Sequence, residues 1–98
     1  MTQKFEAHIT YPRVCSVTVK SIGEAEGWTF SAIDGDPVMG KQAYAYLTDY
    51  DTDGLVLLKR MQNIASRSKQ IGIVPLRLKV EEIVYDSKTG HDVLQENN

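Results

Sequence analysis

The chain has 98 residues, 42% of them hydrophobic, with eleven basic against thirteen acidic side chains and a formal charge of −2. That length has room for one domain around one core, and the composition excludes a disordered polar tail. The near balance of charge argues against a protein held mainly by the backbone charge of duplex nucleic acid.

Lys4 to Thr10 alternates, with Phe5, Ala7 and Ile9 on one side and Glu6, His8 and Thr10 on the other. This is the period of a half-buried strand, and Tyr11-Pro12 is expected to end it. Arg13 to Glu26 is read as a helix stopping at Gly27, although its β-branched residues would also suit a strand. Trp28 to Ile33 reads as a second strand, with Trp28, Phe30 and Ala32 on one face. Asp34-Gly35-Asp36-Pro37 has turn composition. Gln42 to Thr48 is the third strand, alternating Ala43, Ala45 and Leu47 against Gln42, Tyr44, Tyr46 and Thr48. Asp49 to Gly54 reads as an acidic loop before the clearest helix, Gly54 to Ile71. Leu57, Leu58, Met61, Ile64, Ala65 and Ile71 form its apolar stripe, Thr52 or Asp53 its cap, and Gly72 its left-handed end. Leu76 to Tyr85 is the last long strand, with Leu76, Leu78, Val80 and Val84 facing inward.

The order strand, helix, strand, strand, helix, strand predicts an α+β chain: a ferredoxin-like βαββαβ sandwich. Its four-stranded, antiparallel-type mixed sheet would carry both helices on one face. Residues 1–85 form the domain, and 86–98 a polar tail or short extra hairpin. The single cysteine, Cys15, cannot form an internal disulfide and suits a reducing, cytoplasmic setting. The first residues lack the apolar run of a signal peptide, and the longest apolar run, Leu55 to Leu58, is far short of a membrane span.

If the inward set meets the helices, the other set lines an open face. There His8, Thr10, Tyr44, Tyr46, Arg77 and Lys79 make a candidate ligand site, flanked by Glu6 and Glu81. Rings beside cations suit a flat π-system carrying an anion, while the two glutamates oppose a long polyanion. Tyr44-Ala45-Tyr46-Leu47 resembles the aromatic motif of RNA-recognition-motif domains, which implies base stacking. Gln42 and Ala43 replace that family's basic residue and glycine, and Asp49 its last aromatic. His8-Ile9-Thr10 is similar to half the signature of the two-histidine phosphoesterases. That implies acid–base work by His8 once a second copy faces it across a dimer.

Asp49-x-Asp51-x-Asp53-Gly54 matches the first half of a calcium loop, but Arg60 stands where the closing glutamate belongs. A helix entry, with carboxylates at the positive end of the dipole, accounts for it without an ion. Asp34 to Lys41 lacks the glycine spacing and following helix of a phosphate loop. Lys59, Arg60, Arg67 and Lys69 make the second helix basic on its outer side. No nucleophile setting, zinc spacing or cofactor motif is present, so no catalytic residue, metal or cofactor is assigned. The sequence reading is a non-catalytic binding or inhibitory module that self-associates or meets a protein partner through its open face. The alternatives are a binder of nucleotides or single strands, and a dimeric phosphodiesterase.

Overall fold

In a computed structural model, residues 2–33, 43–86 and 91–92 are described. Strand β1 covers Thr2–Pro12, and a short 3-10 turn at Arg13–Cys15 leads into helix α1, Ser16–Ala25. Strands β2 (Thr29–Ile33) and β3 (Tyr44–Asp51) follow, then helix α2 (Gly54–Gln70), strand β4 (Arg77–Asp86) and a two-residue β5 (His91–Asp92). The sheet order is β2-β3-β1-β4-β5 and every pairing is antiparallel, so the sheet is not mixed. The chain is thus α+β: an open four-stranded antiparallel sheet with two helices, to which β5 adds two residues beside β4.

The core forms where the predicted alternation puts it. Ala7 and Ile9 of β1 and Ala45 and Leu47 of β3 are buried in one cluster with Val19 of α1 and Leu57, Met61 and Ile64 of α2. Both helices therefore cover the same sheet face. Small residues on the two central strands let the helix backbones come close. Gly23 of α1 lies over Leu47, and a Cβ built there would stand 2.9 Å from Leu47 Cδ1. Any side chain at position 23 would overpack the layer.

Both helices end in the same way, with a left-handed glycine. Gly27 (φ 81°) and Gly72 (φ 86°) adopt the backbone that glycine alone enters freely. Trp28 N–H then reaches Gly23 O at 2.9 Å, and Ile73 N–H reaches Ser68 O at 2.9 Å, satisfying the last carbonyls. Trp28 is consequently buried just ahead of β2 rather than inside it. At the other end of α2, the Asp53 carboxylate accepts from Leu55 N–H (3.0 Å) and Val56 N–H (3.1 Å), as an N-cap should.

Several boundaries move. β1 runs on through Tyr11 and Pro12, because Tyr11 keeps the inward parity of Ile9 and a proline costs little as the last strand residue. β3 continues to Asp51, so the first half of the expected acidic loop is strand. Ile71 is 58% exposed, since α2 ends at Gln70 and the chain turns away. Leu76 lies just before β4 and is exposed, as is Leu78, in the stretch of β4 that β5 does not reach. The turn read at Asp34 to Pro37 lies outside the described residues.

Alternation missed one polar element of the core. Ser68 continues the buried stripe of α2, and its hydroxyl accepts from Tyr11 Oη (2.9 Å) while donating to Ala65 O (2.9 Å). Burial pushes the Tyr11 phenol above its ordinary pKa of 10.0, and the bond to Ser68 pulls it partly back. Ser68→Ala should cost about 1–3 kcal/mol by stranding the phenol, more than Tyr11→Phe, which leaves Ser68 bonded to Ala65. A raised phenol pKa keeps its contribution whole below the unfolded value and loses it as pH climbs through the folded one. Urea unfolding should therefore weaken above pH ~10, and less steeply in Tyr11→Phe.

Candidate functional site

The open face is a grid of cross-strand rows, set by register. Ile33, Tyr44 and Pro12 make the first row, and Ser31, Tyr46, Thr10 and Arg77 the second. Thr29, Thr48, His8 and Lys79 make the third, and Tyr50, Glu6 and Glu81 the fourth. Lys4 and Ile83 close the face beyond them. Strand alternation thus brings His8, Thr10, Tyr44, Tyr46, Arg77 and Lys79 to one face.

They are not equally available to a ligand. Thr10, the shortest side chain between Tyr46 and Arg77, is 3% exposed, and Tyr44 is 6% exposed. Their burial corrects the expectation that either side chain meets a ligand from solvent. Tyr46 keeps partial exposure, its ring 6.4 Å from that of Tyr44 and tilted 59° to it. Arg77 is exposed and has no ion-pair partner among the described residues. His8 pairs with Thr48, one row from Tyr46, rather than standing directly beside it.

The third and fourth rows are joined by polar contacts centred on His8. Its Nε2–H donates to Glu6 Oε1 at 2.6 Å, and its Nδ1 shares a 3.0 Å hydrogen bond with Thr48 Oγ1. Because a carboxylate only accepts, the proton sits on Nε2, and in the neutral ring Thr48 donates to Nδ1. Burial would raise the Glu6 pKa, but hydrogen bonds from Tyr50 and His8, with the charges of His8 and Lys79, hold it below 4.5. Lys79 Nζ reaches Glu81 at 3.2 Å, and Lys4 Nζ stands 4.7 Å from the centre of the Tyr50 ring. Thr48, Tyr50, Glu6 and Glu81 are therefore as much part of this site as the residues first singled out. Thr48 shares the parity of Tyr44 and Tyr46, while Tyr50 was hidden by a loop assignment.

These rows also separate the apolar ends of the face. Ile33 and Tyr44 lie at one end and Ile83 at the other, with four charged side chains and His8 between.

The remaining motifs resolve on the helix side. Arg60 of α2 reaches back to Asp49 and to Asp51 (3.0 Å), while Asp51 also accepts from Asp53 N–H at 2.9 Å. The three aspartates of the half calcium loop are thus engaged by a guanidinium and by a helix cap. Arg67 pairs with Glu26, so two of the four cations on α2 are neutralised within the fold. Cys15 is half-buried and packs against the core. No helix among the described residues is long and apolar enough to cross a membrane. Compared with protein families, curated proteins and solved structures, the chain matches none of them.

Proposed function

We propose that this domain is a non-catalytic binding module whose open face takes a small ligand with a flat ring and an anionic group. The observation that carries the reading is the row Ser31–Tyr46–Thr10–Arg77. It sets a partly exposed ring and an exposed guanidinium two strands apart, about 9–10 Å. A nucleobase on Tyr46 and its phosphate on Arg77 span such a gap, with Lys79 in the next row adding charge. Glu6 and Glu81 lie below and disfavour a long polyanion, which selects a mononucleotide or short oligonucleotide. The architecture accords with a ferredoxin-like sandwich, for which the βαββαβ element order and the central β1 and β3 are the support. A single half-buried cysteine fits a reducing, cytoplasmic setting.

Titration with nucleotides and short oligonucleotides tests this reading. Tyr46→Ala should weaken binding by roughly 5–150-fold, the equivalent of about 1–3 kcal/mol of stacking, and Arg77→Ala should remove the preference for phosphate. No binding below millimolar across the panel, or binding untouched by both substitutions, refutes it.

A further inference from the structure

We propose that Glu6, His8 and Glu81 form a binding site for a divalent transition-metal ion of the zinc type on the open face. One ligand atom from each lies within 4.8 Å of the other two. Zinc bonds of about 2.0–2.2 Å place neighbouring ligand atoms roughly 3.3 Å apart, so modest side-chain rotations close this set around one ion. The His8–Glu6 contact would open from 2.6 Å as the ring takes its other neutral tautomer. The metal binds Nε2, the ring proton sits on Nδ1, and Thr48 Oγ1 turns from donor to acceptor.

The strands preorganise the set. Glu6 and Glu81 are directly opposite in the β1–β4 register, and His8 lies two residues along β1 on the same side. Two carboxylates facing each other across a ladder repel, so a cation between them offsets a cost already built into the sheet. The surroundings have the form of an outer shell. Thr48 Oγ1 holds His8 Nδ1 at 3.0 Å, which fixes the ring with Nε2 toward the carboxylates, and Tyr50 hydrogen-bonds Glu6. One imidazole and two carboxylates suit zinc better than calcium or magnesium, which favour all-oxygen sets. Three protein ligands on an open sheet leave the outward positions to water or an anion.

Lys79 opposes the ion, because its Nζ sits 3.2 Å from Glu81 and must let go when the metal enters. This gives the site a signature that a purely structural polar cluster lacks: removing the lysine should tighten metal binding. The inference does not rest on the ligand reading above, since it uses neither Tyr46 nor Arg77.

The test is calorimetric titration of the untagged full chain with zinc chloride, repeated with cobalt(II) to read its visible absorption. One equivalent should bind with a dissociation constant below about 100 μM. His8→Ala and Glu81→Gln should each weaken it by about tenfold or more, with circular dichroism confirming the fold. Lys79→Ala should tighten it several-fold, and His91→Ala, outside the set, should leave it unchanged. No saturable binding, binding indifferent to His8→Ala and Glu81→Gln, or binding lost in His91→Ala would overturn the assignment. Loss of nucleotide binding with metal binding intact would refute only the earlier reading.

Discussion

Leu57→Ala is expected to lower the unfolding free energy by about 2–5 kcal/mol, while Leu55→Ala on the same helix changes it by less than about 0.5 kcal/mol. Leu57 is fully buried in the cluster that joins α2 to β1 and β3, whereas Leu55 is 61% exposed. The truncated methyl groups lose their transfer free energy, and the cavity left behind cannot collapse fully between a helix and a sheet. A domain of this size holds about 5–15 kcal/mol in all, so the loss is a large share. Each kcal/mol should appear as a fall of roughly 4–8 °C in Tm. Equal effects of the two substitutions on urea or thermal unfolding would mean that α2 is not seated on the sheet in this register.

Arg60→Ala is expected to cost about 1–3 kcal/mol at neutral pH, between a surface pair and a buried one. Asp49 stands opposite the buried Ala7 in the ladder, so its carboxylate lies on the helix side, only 16% exposed. Removing the guanidinium would leave that charge partly desolvated with no cation beside it. The double variant Arg60→Ala/Asp49→Asn should recover most of the loss, because it removes the stranded charge as well. A cycle of the four proteins by urea unfolding measures the coupling directly. Coupling indistinguishable from zero would show that the pair is solvated and contributes nothing.

The same arginine shows how far the sequence could be read. The half calcium motif was visible, as was the mismatch of Arg60 at its closing position. What was not visible is that Arg60 itself meets those carboxylates, since that contact depends on how α2 lies against β3. Strand parity, by contrast, is local: Phe5, Ala7 and Ile9 or Tyr44, Tyr46 and Thr48 declare their faces by alternation alone. That is why the candidate residues came to one face while their depth did not follow. The burial of Thr10 depends on the neighbours that register places on either side. Thr48 became a partner of His8 only once β1 and β3 were aligned, whereas Glu6 shares the face of His8 by alternation alone. Ser68, left out of the apolar stripe, joined the core only with Tyr11 opposite it.

β1 lies in the middle of the sheet, between β3 and β4, and its pairing with β4 joins Thr2 to Tyr85. On a ribosome adding about 5–20 residues per second, the strand made first waits roughly 4–17 s for its last neighbour. Throughout that interval Phe5, Ala7 and Ile9 lack β4 beside them, and until α2 is made at Gln70 they also lack the second helix of the layer above. The nascent chain thus presents an alternating apolar strand to whatever waits at the exit tunnel, and the centre of the sheet is complete only once β4 is made.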